Sequence, residues 1–252
     1  MSRHVEIFST KDELVRATAE MIVATITTAI RERGTCALAL SGGSTPREVY
    51  ELLAHEVYQT RIAWPQAHLF WGDERMVPPE HVDSNFRMTQ EALLARVNAP
   101  SSNVHRIKGE LPPQLAAQEY RAELEAYFNG REKVFDFILL GLGEDGHTAS
   151  LFPETEVLHE REQAVAAVFV PKFDKWRVTL TFPIINEARA VAFLVAGKSK
   201  AEIVAGIFGL PQPEMKWPAS LIQPERGELY WLLDAEAAAL MNVAETSRES
   251  SV

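Results

Sequence analysis

Apolar and polar positions along this chain fall into short apolar runs separated by longer stretches with helical spacing. The runs are four to seven residues long and rich in aliphatic side chains, which is typical of buried strands. We predict strands over residues 36–40, 68–71, 135–140, 164–170, 178–182, 191–195 and 228–233.

The stretches between these runs predict helices, and several of them have recognisable ends. Residues 10–13 read TKDE, a capping box, and the helix that they open is expected to end near Gly34. Pro46 suits the first turn of a helix that runs to Leu53. Further helices are predicted over residues 85–97, 112–128 and 199–208, and an alanine-rich helix is predicted after Asp234.

The alternation of strands and helices over most of the chain favours an α/β fold. We expect a mainly parallel, Rossmann-like sheet flanked by helices on both faces. The C-terminal half is richer in strands and predicts a smaller strand-rich part. No stretch resembles a flexible linker, so residues 1–252 are expected to form one domain, with an ordered core over about 5–242 and a polar tail over 243–252.

The composition limits the partners and the location. A net charge of −10 and the lack of a basic stripe argue against nucleic-acid binding, and no apolar run approaches the roughly 20 residues that span a bilayer. The single cysteine, Cys36, falls in a predicted strand, and no signal-peptide pattern is found, so we expect a cytoplasmic protein. An anionic substrate would need a local site of backbone N–H groups and a few cations.

A glycine-rich turn links the first predicted strand to the next helix. Residues 41–46 read SGGSTP and place two hydroxyls and several N–H groups at a helix N-terminus. Such a turn is an anion site, and we predict that it binds phosphate. The alternative is a plain strand-to-helix turn with an N-cap. The predicted phosphate ligands are Gly42, Gly43, Ser44 and Thr45.

Charged side chains follow the strand over residues 68–71. Asp73 and Arg75 could orient and polarise a polar substrate, or they could form a solvated surface ion pair, and the local sequence leaves both possibilities open. Asn85, in the run SNF at residues 84–86, could contact a ligand too, although the local pattern favours a helix cap.

The strand over residues 135–140 leads into the run GLGEDGHTASLFP, residues 141–153. Its Gly-x-Gly-x-x-Gly spacing matches the dinucleotide-binding fingerprint, but Pro153 leaves room for only about two helical turns after the third glycine. His147 beside Asp145 is better suited to acid–base chemistry, because an imidazole ordinarily titrates near pH 6.5. An inert loop histidine is the alternative.

Two further cations complete the candidate residues. Lys200 follows the strand over residues 191–195 and enters a helix, and Arg177 precedes another strand. Each of them, taken alone, fits a solvated surface charge better than a ligand. The sequence contains no nucleophile elbow and no metal-ligand motif, so we expect no metal.

Taken together, these motifs resemble the signatures of the 6-phosphogluconolactonase family. The motifs, in an order and spacing that fit the family, are SGGSTP at residues 41–46, DER at 73–75, SN at 84–85, the run at 141–153 and WRVTLT at 176–181. The resemblance extends from about residue 5 to residue 242. It implies the fold group of glucosamine-6-phosphate deaminase and ribose-5-phosphate isomerase. The deaminases share the Asp-Gly-His loop but differ in the TASLFP segment after His147.

The resemblance also implies an activity: hydrolysis of 6-phospho-D-glucono-1,5-lactone to 6-phosphogluconate, in the oxidative pentose phosphate pathway, without a cofactor. The roles that follow are hypotheses. His147 would be the general base and Arg75 would stabilise the oxyanion, while Asp73 and Asp145 would hold sugar hydroxyls or orient other groups. The phosphate would lie on the glycine-rich turn at 41–46, with Lys200 and Arg177 as its charge partners.

Two other functions stay open at this stage. One is a sugar-phosphate isomerase or deaminase on the same scaffold, and the other is a sensor that binds a sugar phosphate without turnover. The lack of a DNA-binding extension argues against the sensor. The expected partner is therefore a small phosphosugar lactone, and we expect no binding to nucleic acid or to a membrane. The chain is expected to act as a monomer or a weak homo-oligomer.

Overall fold

A seven-stranded parallel sheet forms the centre of the molecule, as seen in a computed structural model that describes residues 2–241. The strands of the chain are β1 (Ser2–Phe8), β2 (Cys36–Leu40), β3 (Ala67–Trp71), β4 (Asp73–Arg75), β5 (Val104–His105), β6 (Phe137–Leu140), β7 (Val165–Val170), β8 (Lys175–Leu180), β9 (Ala190–Val195) and β10 (Glu228–Asp234). The large sheet has the order β1-β10-β9-β6-β2-β3-β5, and all of its neighbours are parallel.

Helices cover this sheet. They are α1 (Lys11–Arg33), α2 (Ser44–Leu53), α3 (Glu56–Gln59), α4 (Asn85–Thr89), α5 (Pro113–Phe128), α6 (Phe182–Asn186) and α7 (Ala201–Phe208). Strands β2 and β6 are buried along their whole length, which requires cover on both faces of the sheet. Within residues 2–241, no helix has both the length and the apolar character needed to cross a bilayer.

A second, three-stranded antiparallel sheet has the order β4-β8-β7. Helix α5 packs against β7 and β8. Strand β4 begins two residues after β3 ends, so the chain passes from the large sheet to the small one at this point. The small sheet therefore stands beside the carboxyl end of β3.

The strand order of the large sheet reverses between β2 and β6. From β2 the chain builds outward through β3 and β5, whereas from β6 it builds the other way through β9 and β10. In open α/β sheets, ligands bind beyond the carboxyl ends of the strands at such a switch point. The loops that follow β2 and β6 flank this crevice, and they are the glycine-rich runs singled out in the sequence.

The structure confirms the predicted α/β class, with a mainly parallel sheet, helices and a smaller strand-rich part. The ends of α1 are confirmed as well. Thr10 Oγ1 accepts a hydrogen bond from the Glu13 N–H at 3.2 Å, and Gly34 closes the helix with φ of +80°. The burial of Cys36 is also confirmed.

Some elements differ from the prediction. Strand β1 was not predicted because it lies at a sheet edge and only part of its surface is buried, so it lacks an apolar run. Residues 73–75 were predicted as a loop but form β4, and β8 begins at Lys175, three residues earlier than predicted. Both strands carry charged side chains, which weaken a strand signal based on apolar runs.

Helix α2 confirms one helix prediction, since it spans Ser44–Leu53 with Pro46 in its first turn. Other helix predictions need correction. The helix predicted over residues 85–97 is shorter, because α4 passes into one π-helical turn, Gln90–Leu94, and ends there. Residues 235–240 form turns in place of the predicted alanine-rich helix. The predicted polar tail over 243–252 lies outside the described residues.

His68 and His105 form a hydrogen-bonded pair on the neighbouring strands β3 and β5. His68 Nδ1 lies 3.0 Å from His105 Nε2, and His105 Nδ1 lies 2.6 Å from Glu123 Oε1. Burial, with smaller contributions from His105 and Arg131, lowers the pKa of His68 to about 4. The folded protein therefore resists protonation of this imidazole.

We predict that this pair makes the fold sensitive to mild acid. An unfolded imidazole takes up its proton near pH 6.5, whereas His68 does so near pH 4, so the free energy of unfolding falls as the pH drops through this window. Because His68 is only partly buried, we expect its share of the loss to be only about 1 kcal/mol. Denaturant unfolding at several pH values should show that the slope of the free energy of unfolding against pH, between about pH 6.5 and 4, is shallower in His68→Gln. The same substitution at the exposed His159 should leave the slope unchanged, and an equal slope for both variants would contradict this assignment.

Candidate active site

A cavity of about 320 Å³ lies at the carboxyl edge of the large sheet. Its walls come from the loops after β2, β3, β6 and β9 and from strand β8. Eight of the eleven predicted site residues line it, which agrees with their common position at strand ends. These eight residues are Gly42, Gly43, Asp73, Arg75, Asn85, His147, Arg177 and Lys200.

The turn after β2 is held from below by a buried tyrosine. The hydroxyl of Tyr50 donates to the Ser41 carbonyl at 2.8 Å and accepts from the Ser41 N–H at 2.9 Å. Gly42 lies directly against Asn85, and a Cβ on Gly42 would be 2.0 Å from Asn85 Oδ1. Glycine is therefore required here, and Asn85 forms one wall of the turn.

Ser44 and Thr45 lie apart from the main cavity. They line a neighbouring cavity of about 410 Å³, together with the start of α1 and the residues around Asp234. The first N–H groups of a helix have no partner within the helix, so the start of α2 can still donate to an anion. Phosphate binding by Ser44 and Thr45 stays a prediction.

Asp73 is the hub of a buried polar network. Only 6% of the residue is exposed, and its Oδ2 accepts a hydrogen bond from Ser150 Oγ at 2.6 Å. Its Oδ1 accepts from Asn85 Nδ2 at 3.2 Å, and Arg177 Nη1 lies 3.7 Å from its Oδ2. Asp73 thus joins the loop after β6, the start of α4 and strand β8.

Glu74 is a structural residue that the sequence analysis did not identify. It is 2% exposed, and its carboxylate accepts from the N–H groups of Arg75, Asn85 and Phe86 and from the hydroxyl of Ser84. Burial raises the pKa of Glu74, and the backbone donors oppose that rise. The alternation of side chains along a strand could have revealed it, because a residue between Asp73 and Arg75 must face the other side.

Two arginines lie side by side across the small sheet. Arg75 on β4 is the register partner of Arg177 on β8. Within residues 2–241, the Nε atom of each is buried without a hydrogen-bond partner. Burial lowers the pKa of Arg177, and the charge of Arg75 adds to this effect against the opposing pull of Asp73. Like charges opposite each other destabilise a sheet, so this pair is suited to an anion placed between them.

His147 has its ring fixed by a carboxylate. His147 Nδ1 lies 2.5 Å from Asp145 Oδ1, and Lys172 Nζ lies 2.7 Å from Asp145 Oδ2. Burial opposes ionisation of Asp145, but the bonds from His147 and Lys172 outweigh it and lower the pKa of this carboxyl. The ring also stacks on Phe152 at 3.9 Å between centroids. This leaves Nε2 as the ring nitrogen with no hydrogen bond to the described residues.

The glycine spacing of the loop has a steric cause. A Cβ on Gly143 would lie 1.9 Å from His147 Nδ1, and Gly146 has φ of +79° with Trp217 packed against it. No helix begins at Gly146, because the chain turns and bridges Thr148 to Leu151 instead. The dinucleotide fingerprint requires that helix, so this interpretation is rejected.

Lys200 supplies a further cation. The buried carboxylate of Asp234 accepts the Gly197 N–H at 2.9 Å, and the Lys200 N–H donates to the Gly197 carbonyl at 3.0 Å. These bonds fix the start of the turn that carries Lys200 to the cavity. The Lys200 ammonium makes no ion pair with any of the residues that the structure describes. Among the same residues, no cluster of three or more potential metal ligands occurs.

Comparisons with known proteins point to one family. The family model for glucosamine-6-phosphate isomerases/6-phosphogluconolactonase matches residues 9–231. A 6-phosphogluconolactonase of Nostoc sp. is 39% identical over 247 residues, which cover 96% of this chain and all of the relative. The 6-phosphogluconolactonase of Homo sapiens is also 39% identical, with 95% of this chain and 94% of the relative covered.

Solved structures give the same result. The 6-phosphogluconolactonase of Trypanosoma brucei superposes with a TM-score of 0.84 at 30% identity and covers 94% of this chain and 98% of its own. A monomeric glucosamine-6-phosphate deaminase superposes with a TM-score of 0.78 at 21% identity, covering 95% of this chain and all of its own, which shows a shared fold only.

We predict that Glu74 is needed to hold β4 against α4. In Glu74→Gln, the new amide NH₂ would face N–H groups that now donate to the carboxylate, so we expect the free energy of unfolding to fall by about 2 kcal/mol. Denaturant unfolding measures this change. Glu125→Gln on the exposed face of α5 is the matched control, and equal stability of the two variants would show that the carboxylate is dispensable.

Proposed function

The chain belongs to the glucosamine-6-phosphate isomerase/6-phosphogluconolactonase family, and from this premise we propose that it hydrolyses 6-phospho-D-glucono-1,5-lactone to 6-phospho-D-gluconate. This reaction is the second step of the oxidative pentose phosphate pathway. The observation that carries the proposal is the placement of His147 and of the arginine pair around one cavity. A base and two cations then face the same space, as hydrolysis of an anionic ester requires.

His147 acts as the general base in this mechanism. Asp145 holds Nδ1, so Nε2 is the atom that takes a proton from water while the water oxygen attacks the C1 carbonyl. The tetrahedral intermediate carries a negative charge on the former carbonyl oxygen. When it collapses, the C1–O5 bond breaks and the imidazolium returns the proton to the ring oxygen. A positioned base of this kind contributes about 10²–10⁴-fold to the rate.

Arg75 stabilises the developing oxyanion. Its guanidinium lines the cavity, and its Nη1 donates to the Asp83 carbonyl at 2.6 Å, which fixes its direction. The Asp73 carboxylate is engaged by Ser150 and Asn85, so we assign it the role of orienting Arg177 and Asn85. Asp145 orients His147 in the same way. No metal or organic cofactor is needed, because these side chains supply both the base and the positive charge.

The phosphate group lies at the glycine-rich turn after β2. Gly42 and Gly43 line the cavity without side chains that would shield their backbone, and Lys200 lines the same cavity. The N–H groups of Ser44 and Thr45 at the start of α2 add the field of a helix N-terminus, and Arg177 is the second charge partner. These local cations offset the net charge of −10.

The wider assignments rest on the sequence. We propose a single-domain cytoplasmic enzyme that acts as a monomer or weak homo-oligomer and binds no nucleic acid. The single buried cysteine and the acidic net charge support this proposal. An amino-sugar-phosphate deaminase is the alternative activity on this fold. Release of ammonia from glucosamine 6-phosphate, with no opening of the lactone, would favour that alternative.

We predict that His147→Ala lowers kcat for lactone hydrolysis by at least about 10²-fold, because the general base is lost. The variant should still fold, because backbone hydrogen bonds of Gly143 and Gly146 close this loop without the imidazole. Proton release at constant pH measures turnover once the spontaneous opening of the lactone is subtracted. His159→Ala at an exposed site is the control, and near-normal turnover by His147→Ala would remove this residue from the base role.

We predict that Lys200→Ala mainly raises KM for the phosphorylated lactone, by about 10- to 100-fold, because one charge-assisted hydrogen bond to the phosphate is lost. Unphosphorylated gluconolactone should show no change in KM, which separates phosphate binding from a general defect. Lys198→Ala, two residues earlier and exposed, is the matched control. An unchanged KM for the phosphorylated substrate would place the phosphate elsewhere.

A further inference from the structure

The hairpin between β7 and β8 carries two side chains to the loop of His147. Its tip is a short 3₁₀ turn, Pro171–Phe173, followed by Asp174 in the left-handed region with φ of +50°. The pairing of Val170 with Lys175 closes the hairpin just below the tip. Proline and the closed register restrict the backbone, so Lys172 and Phe173 are presented from a defined position.

Lys172 is linked to His147 through a single carboxylate. Its Nζ lies 2.7 Å from Asp145 Oδ2, and Asp145 Oδ1 lies 2.5 Å from His147 Nδ1. Asp145 Oδ1 also accepts from the His147 N–H at 3.3 Å. The two oxygens of Asp145 are therefore divided between the histidine and the hairpin. A carboxylate held at both oxygens cannot rotate about its last bond without losing one partner.

Phe173 provides a second, indirect link between the hairpin and the same imidazole, through the ring of Phe152. Its ring meets Phe152 edge to face at 5.7 Å, and Phe152 stacks on His147 at 3.9 Å. The Arg177 guanidinium lies 5.7 Å from the Phe152 ring and 5.5 Å from the Phe173 ring. One element, the hairpin, thus fixes the imidazole through its Nδ1 atom and through its face.

We infer that Lys172 is a positioning residue for the base: it fixes Asp145, and Asp145 fixes the imidazole of His147. This inference rests on the proposed function. The Lys172 side chain is 57% exposed and that of Asp145 is 26% exposed, so this ion pair adds little to the stability of the fold. Its effect falls on the geometry of the base, where a misplacement of about 1 Å can cost 10²-fold in rate.

The charge of Lys172 also has a predictable effect on the acid limb of the rate profile. The charged groups near the His147 ring are Asp145 and Lys172, with Asp73, Arg75, Arg177 and Lys200 lining the same cavity. Lys172 offsets part of the negative charge of Asp145. Without Lys172, the full carboxylate charge favours the protonated imidazole, so the base becomes active only at higher pH.

Lys172→Met tests this inference. We expect kcat to fall about tenfold, less than the loss from a fully misplaced base, with KM unchanged. We expect the acid limb of the kcat/KM profile to move to higher pH by about half a pH unit. Lys172→Arg should restore most of the lost kcat and most of the shift in the acid limb. Lys133→Met is the control, since this exposed lysine lies in the segment before β6. In an Asp145→Asn background, Lys172→Met should have little further effect, because the carboxylate that links it to His147 is gone.

A second measurement does not depend on turnover. The Nδ1 proton of His147, held by Asp145, should give a downfield resonance that weakens in Lys172→Met and returns in Lys172→Arg. The inference would be overturned if Lys172→Met left kcat and the pH profile unchanged, or if it raised KM alone. It would also be overturned if Lys172→Met lowered kcat by the same factor in the Asp145→Asn background. Absence of lactone opening by the unmodified protein would instead overturn the proposed function, while the proton resonance would still report whether Lys172 positions His147.

Discussion

Two buried carboxylates on one short strand hold the two sheets and the site together. Asp73 faces the cavity and joins Ser150, Asn85 and Arg177, which come from three different elements. Glu74 faces the other way and accepts three hydrogen bonds from the start of α4 and one from the Arg75 N–H on β4. A buried charge is costly unless donors surround it, so these donors cannot move away without leaving the charge unsatisfied. The positions of Arg75, Asn85 and Arg177 depend on this constraint.

The electrostatics of the site oppose those of the whole protein. The net charge is −10, yet the cavity is lined by Arg75, Arg177 and Lys200 against the buried Asp73. The two arginines repel each other across β4 and β8, and burial lowers the pKa of Arg177. An anion between them relieves both costs.

The strand-end motifs could be predicted from the sequence, because glycines, hydroxyls and charges directly after apolar runs form a local signal. His147, Arg75 and Lys200 were identified in this way and line one cavity. The role of Ser150 could not be predicted, because its partner Asp73 is 77 residues away in the chain. Glu74 was missed because residues 73–75 were predicted as a loop, so the alternation of side chains along a strand was not applied to them. Edge strand β1 was missed because an edge strand needs no continuous apolar run.

The loop after β6 shows why a matching motif has to be judged by its contacts. Gly143 is needed because the imidazole lies against its Cα, and the Gly143 N–H donates to the His147 carbonyl at 2.8 Å, which closes the loop into a tight turn. Gly146 is needed because Trp217 packs against it at a positive φ. Neither requirement involves a nucleotide, although together they reproduce the last two glycines of the dinucleotide-binding fingerprint. The fold supplies the strand end at the switch point, and the packing of the loop around His147 determines the chemistry carried out there.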